Sequence, residues 1–162
     1  MTENILIQGV PYDEKSSFLQ GARHAPPLIR ETYHSSASNY FAENGIHTKP
    51  PNIIDVGDHA INDYFDIEAS TKRSLTICRR VITLGGDHSI TFPILKAFSQ
   101  FYPKIDILHF DAHPDLYDEL DGDKYSHACP FARINGGRFR FAADSGRNKD
   151  PKRSPTGAGG EI

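Results

Sequence analysis

The chain has 162 residues, of which 38% are hydrophobic, and a formal net charge of −3 at pH 7, which fits one soluble globular domain. No apolar run reaches the roughly 20 residues that a membrane-spanning helix needs, and the N-terminus lacks a signal-like pattern, so we expect a cytoplasmic protein without membrane partners. Its two cysteines, Cys78 and Cys129, are far apart and are expected to be reduced thiols.

Four short apolar or β-branched segments predict strands, and helical patterns separate most of them. The predicted strands lie at residues 4–10, 52–57, 80–86 and 104–110, and the predicted helices at 26–41, 65–77 and 89–101. Strands this rich in Val, Ile and Leu, alternating with helices, are typical of a parallel sheet covered on both faces. We therefore predict an α/β fold with three αβα layers and a mainly parallel sheet, whose active site lies at the carboxyl ends of the strands.

Residues 135–162 depart from this pattern in composition. They hold six of the chain's 13 glycines, carry a net charge of +3, and contain no Val, Leu or Ile before Ile162. Such a segment cannot bury enough apolar area to offset the entropy of ordering, so we predict a domain at residues 1–134 and a disordered, basic, Gly-rich tail. A tail that binds RNA or another anion is the alternative, but Gly and Asp dilute its charge, and we predict no nucleic-acid partner.

Acidic and histidine residues crowd the segment "FDAHPDLYDELDGDKYSHACPF", which follows the last predicted strand. Residues i and i+2 of an extended chain project to the same side, so Asp111 and His113 should leave the strand end together. A turn at Pro114 lets Asp115 join them. Three potential ligands therefore converge at one strand end.

A fourth candidate, His88, follows the preceding strand in "GGDHSI", where Asp87 or Ser89 can cap the next helix. If the two strands are adjacent in the sheet, His88 faces the carboxylates. Several carboxylates at one concave site repel one another unless a cation neutralises them, so we predict a metal site. Mixed oxygen and imidazole ligands suit Mn²⁺, or less selectively Fe²⁺, Co²⁺, Ni²⁺ or Zn²⁺, better than Mg²⁺ or Ca²⁺.

Paired divalent ions can activate water for attack on an electrophilic carbon, so hydrolysis is the predicted reaction. His127 is the candidate for proton transfer, although it can equally be a loop-capping histidine. A Cys129–His127 nucleophilic pair is a weaker alternative, because nothing in the sequence orients the histidine. His109 is expected to be a packed core histidine. Three further acids are expected to be solvated loop charges: Asp118, Asp121 and Asp123.

These motifs resemble the ureohydrolase (arginase, agmatinase, formimidoylglutamase) family, and most closely its agmatinase-type members. The likeness covers residues 1–134 and runs in the family's order through "IQGVPYDEKSSFLQGARHAPPLIRE", "DVGD", "GGDHSITFP", "FDAHPDLYD" and "YSHACPFARI". The resemblance implies an arginase-like sheet. It also implies that one Mn²⁺ is bound by His88, Asp111 and Asp115 and a second by Asp111 and His113, and that His127 shuttles protons or contacts substrate.

The implied reaction is hydrolysis of a guanidinium carbon to urea and an amine, with agmatine to putrescine as the best specific candidate and arginase or formimidoylglutamase specificity as alternatives. Intact relatives are also expected to be homo-oligomers. Family members supply further metal-binding aspartates from a later "SxDxD" segment, which is missing from this sequence. We therefore expect the N-terminal half of the fold only, a reading frame lost after Ile134, and impaired activity. A non-catalytic metal-binding or assembly fragment is the remaining alternative.

Overall fold

The structure, a computed structural model, describes residues 4–48, 52–134 and 139–143, the last of these as backbone. The strands are β1 (Ile5–Val10), β2 (Ile53–Asp58), β3 (Val81–Gly85), β4 (Ile105–His109) and β5 (Phe139–Ala143). The helices are α1 (Ala25–His34), α2 (Asp66–Ile77), α3 (Thr91–Phe98) and α4 (Pro130–Ile134), with 3₁₀ turns at Ala22–His24 and His88–Ile90. The predicted strands and helices are therefore present, close to the predicted positions.

Helix α1 ends earlier than its sequence pattern predicts. Ser35 has an extended backbone, and the Ser38 hydroxyl donates a hydrogen bond of 2.7 Å to the Thr32 carbonyl at the helix end. Serine side chains compete with the helical backbone for such hydrogen bonds, which explains why the serine-rich stretch after His34 leaves the helix.

The three pairs formed by the described strands are parallel, which confirms the predicted α/β class. One sheet has the order β2-β1-β3, and β4 pairs with β5 in a second. The sequence left open whether β3 and β4 are adjacent. Among the described residues β3 is hydrogen-bonded to β1 and β4 to β5, so the two strands that carry the candidate ligands are not paired with each other.

Strand β5 lies in the segment that was expected to be disordered. It pairs with β4 in register from Ile105↔Phe139 to His109↔Ala143. Phenylalanine alternates with arginine at its start, a period of two that suits a strand, although Val, Leu and Ile are missing. The expectation of disorder therefore does not hold for these five residues, and the rest of the tail lies outside the described part of the chain.

The main core cluster lies directly beneath the carboxyl ends of β1 and β3. It consists of Val10, Tyr12, Tyr64, Ile67 and Ile90, all of them at most 7% exposed. Burial of such side chains stabilises the fold by about 1.5–3 kcal/mol for each large apolar residue. The buried Tyr64 hydroxyl also donates a hydrogen bond of 2.7 Å to the carbonyl of Ser89, which joins the turn after β3 to the segment that precedes helix α2. None of the helices described here is long and apolar enough to span a bilayer.

Candidate metal centre

Close packing against the end of β1 fixes the turn that follows β3. The Gly86 N–H donates to the Val10 carbonyl at 3.1 Å and the Asp87 N–H to the Tyr12 carbonyl at 2.9 Å. A Cβ atom at Gly86 would lie 1.9 Å from the Tyr12 carbonyl oxygen, so only glycine fits there. The second glycine of "GGDH" therefore allows the backbones to approach and sets the position of His88.

Asp87 caps the 3₁₀ turn, as its sequence position predicts. Its Oδ1 accepts from the Ser89 N–H at 2.9 Å, and its Oδ2 accepts from the Lys15 N–H at 3.1 Å and the Ser16 hydroxyl at 3.3 Å. The Asp87 carboxylate therefore accepts hydrogen bonds from the backbone of its own turn and from the β1–α1 loop. His88 is left as the side chain of this turn that faces the acidic loop.

The structure brings together His88, Asp111 and Asp115. His88 Nδ1 lies 2.6 Å from Asp115 Oδ2 and 4.0 Å from Asp111 Oδ2. His109 joins them, and one potential ligand atom from each of the four side chains lies within 4.8 Å of the others. Asp115 has a φ of +47°, a conformation that non-glycine residues rarely adopt and that concentrates at functional sites. The loop is thus bent so that the Asp115 carboxylate meets His88.

The donor set fits a divalent ion of intermediate hardness. The Asp111 and Asp115 carboxylates and the His88 imidazole, with His109 beside them, offer oxygen and nitrogen without thiolate, a combination that suits Mn²⁺ and its first-row neighbours. The backbone N–H of His113 holds the pKa of Asp111 below its ordinary value, and nearby histidines add to this against the opposing effect of burial. Asp111 is therefore ionised at neutral pH, the state in which a carboxylate binds metal.

His113 lies at the edge of this group rather than in it. Its side chain is 79% exposed, and its Nδ1 is 3.6 Å from Asp111 Oδ1. The His113 N–H donates to the same oxygen at 3.0 Å, which makes a local Asx turn and directs the ring outward. Asp111 and His113 are thus neighbours in the loop, while the His113 imidazole remains largely in solvent and outside the cluster.

His127 is held by the β1–α1 loop. Its Nδ1 lies 3.0 Å from the Lys15 carbonyl oxygen, to which it donates, and 3.2 Å from the Ser126 hydroxyl. A neutral imidazole that donates from Nδ1 presents Nε2 as an acceptor, the form that a proton-transfer residue needs. Lys15 Nζ also pairs with Asp123 at 2.8 Å, so Asp123 ties the two loops together and is not merely a solvated charge.

A cavity of about 280 Å³ separates His127 from His88. Its walls are Asp87 and the loop side chains from Ser16 to Leu19, together with the two histidines, and none of these residues is a lysine or an arginine. Cys129 is fully buried, and burial raises the pKa of its thiol. A buried thiol of high pKa is a poor nucleophile, so the structure does not favour the Cys129–His127 alternative.

His109 is the residue of the cluster that sequence reasoning missed. Its side chain is 9% exposed, as expected for a packed histidine, but its Nε2 lies 3.7 Å from Asp111 Oδ2. The signal was present in the sequence, because His109 and Asp111 are two residues apart at a strand end and project to the same side.

Comparisons with known proteins point to one family. Residues 3–151 match the Arginase family profile. A mitochondrial arginase of Medicago truncatula is 41% identical over 147 residues, which cover 82% of this chain and 44% of that protein. An N(1)-aminopropylagmatine ureohydrolase of Thermus thermophilus is 37% identical over 136 residues, which cover 80% of this chain and 46% of that protein.

Solved structures show the same likeness in three dimensions. The arginase from Medicago truncatula superposes with a TM-score of 0.74 at 36% identity, covering 88% of this chain and 50% of that one. The agmatine ureohydrolase of Thermoplasma volcanium gives a TM-score of 0.67 at 25% identity, covering 88% of this chain and 52% of that one. The chain spans about half the length of the curated relatives it matches. By its family profile, its sequence relatives and its fold, the chain belongs to the arginase family.

Proposed function

We propose that the chain carries the first part of a metal-dependent active site that hydrolyses the C–N bond of a guanidino compound, with Mn²⁺ as the ion. The observation that carries this proposal is the convergence of His88, Asp111 and Asp115 beside the cavity that His127 borders. A divalent ion would activate water and neutralise the carboxylates. The residues of the chain would hold that ion, and His127 would accept or return a proton through Nε2.

Agmatine is the substrate that the cavity supports best. Its described walls are serine hydroxyls, the apolar side chains of Phe18 and Leu19, and the acidic Asp87. Arginine and formimidoylglutamate both carry carboxylates, for which a cationic partner would be expected, and no lysine or arginine lines the described cavity. The tail of agmatine ends in an amine instead, and a neutral to acidic wall suits it. A cytoplasmic location remains a prediction, since the Medicago relative is mitochondrial by name.

The test is a substrate screen with the 162-residue chain loaded with Mn²⁺. The protein is used in excess of the substrate, so that slow turnover can be detected as released urea, formamide or amine. The substrates are agmatine, arginine, guanidinobutyrate and formimidoylglutamate. We expect the turnover to be weak, highest with agmatine, and abolished in Asp111→Asn, with Asp118→Asn as a matched control because its carboxylate is 93% exposed. Turnover that Asp111→Asn does not affect, or that favours arginine, would contradict the proposal.

A second candidate is a non-catalytic assembly role, favoured by the gap between the two sheets. A cavity of about 330 Å³ lies there, lined by Thr83 of β3, Ile107 and Leu108 of β4, and side chains of α3. Leu108 is 65% exposed, and such an apolar strand surface favours association. Co-purification with a longer arginase-family chain, together with Mn²⁺ binding but no turnover of any of the four substrates, would support this role over catalysis.

A further inference from the structure

We propose that His109 is a positioning residue of the metal site, which holds the Asp111 carboxylate and the His88 ring in the orientation that binds the ion. This inference rests on the proposed metal-dependent function. It assigns a task to a histidine that the ligand set of His88, Asp111, His113 and Asp115 leaves out.

The contact between His109 and Asp111 is made at one oxygen of the carboxylate. His109 Nε2 lies 3.7 Å from Asp111 Oδ2, the oxygen that also faces His88 Nδ1 at 4.0 Å, whereas Asp111 Oδ1 accepts the backbone N–H of His113. One carboxylate oxygen is therefore held by the loop and the other faces two imidazoles. Side chains that contact a ligating carboxylate from outside the ligand set orient it, and their removal typically weakens metal binding.

The ring of His109 also supports His88. The two imidazole centroids are 5.3 Å apart with a 30° angle between the planes, and both rings contact Phe131, at 4.5 Å from His109 and 5.5 Å from His88. Phe131 is only 5% exposed and lies in α4. His109 is thus packed between a rigid aromatic ring and two ligand side chains, and its backbone is fixed at the end of β4.

The test compares two variants of similar size, His109→Gln and His109→Met, in the full chain. Glutamine keeps an N–H donor that can reach Asp111, and methionine keeps the volume without the donor. We expect Mn²⁺ affinity, measured by calorimetry, to fall about 10- to 100-fold in His109→Met, the range for outer-shell contacts. His109→Gln should recover much of that loss. The melting temperature in chelator reports on folding separately, and His24→Phe, a change at an exposed histidine outside the site, is the control.

Equal affinities in the parent and in His109→Met would overturn the proposal, as would equal losses in both variants, because packing alone would then explain them. Pulsed EPR on bound Mn²⁺ separates a positioning residue from a ligand. The ¹⁴N coupling should persist in His109→Met and weaken in His88→Ala, and its loss in His109→Met would make His109 a ligand instead. If the parent chain binds no Mn²⁺, both the metal site and this role fail. If binding depends on His109 but no substrate turns over, only the catalytic proposal fails.

Discussion

Replacement of Asp13 tests how the wall of the cavity beside His127 is held. The Asp13 side chain is fully buried, and its Oδ2 accepts the N–H groups of Gly21 at 2.6 Å and Arg23 at 3.0 Å, while Oδ1 pairs with the Arg23 guanidinium. These contacts close the loop of residues 13–21, which carries the wall from Ser16 to Leu19. In Asp13→Asn, the amide oxygen can accept either from the two backbone N–H groups or from the guanidinium. The NH₂ group then faces the remaining donors and cannot accept their hydrogen bonds.

We expect Asp13→Asn to destabilise the chain by about 2 kcal/mol, near the lower part of the range for hydrogen bonds to charged groups, because Arg23 is 36% exposed and partly screened. For a chain of this size that loss lowers the melting temperature by about 4–8 °C. Thermal unfolding followed by circular dichroism measures it. Asp118→Asn is the control and should shift the melting temperature by no more than about 2 °C.

The pH dependence of this loss has a defined sign. Burial opposes ionisation of Asp13, but the hydrogen bonds from Gly21 and Arg23 outweigh it and lower the pKa in the folded chain. A lowered carboxyl pKa stabilises the fold fully above the unfolded value of about 3.9, and the stabilisation is lost as the pH falls through the folded pKa. The gap between parent and variant should therefore be constant from about pH 5 to 7 and narrow below about pH 4. Equal melting temperatures at neutral pH would refute the reasoning.

Three further experiments test the site and its surroundings. Gly86→Ala should lower both the melting temperature and the Mn²⁺ affinity, because its Cβ would collide with the Tyr12 carbonyl oxygen and displace the turn that carries His88. A variant with the melting temperature and the Mn²⁺ affinity of the parent would contradict this. Cys129 should react with a thiol reagent more slowly than Cys78, since it is buried and its thiol pKa is raised, and mass spectrometry of the modified chain would show the order. His127→Asn should abolish turnover of agmatine while leaving Mn²⁺ affinity unchanged, and a matched loss of affinity would place His127 among the ligands instead.

The sequence predicted the strands and helices well because each has a clear hydrophobic period. It also predicted that the polar side chains after β3 and β4 would converge, since parallel strands present their carboxyl ends at one side of the fold. His88 and Asp111 do meet at 4.0 Å, although β3 and β4 are not paired in the described structure. Convergence of the two strand ends therefore did not require β3 and β4 to be paired, a point that the sequence had left open.

Other features depended on contacts that no local pattern reports. The outward turn of His113 follows from an Asx hydrogen bond, and the pairing of Asp123 with Lys15 joins loops 108 residues apart in sequence. Strand β5 was missed because its composition lacks the usual β-branched residues, while its pairing with β4 supplies the backbone hydrogen bonds that local propensity underrates. Tertiary context decided each of these cases.

Metal stoichiometry follows from the unequal burial of the predicted ligands. The group that includes His88, Asp111 and Asp115 lies within 4.8 Å, whereas His113 is 79% exposed and outside it. We expect the 162-residue chain to bind one Mn²⁺ tightly and a second only weakly, since ordering an exposed imidazole costs entropy that a single added ligand offsets poorly.

Calorimetric titration of the parent, Asp115→Asn and His113→Ala distinguishes two binding steps, that of the first, tightly bound Mn²⁺ and that of the second, weakly bound one. Asp115→Asn removes an anionic ligand 2.6 Å from His88, so the first step should weaken by more than about 100-fold, beyond the range of an outer-shell change. His113→Ala should leave that step unchanged and affect only the weaker one. Two equally tight ions in the parent, or loss of the first step in His113→Ala, would mean that the loop reorganises around the ions, and the unequal burial would then not govern binding.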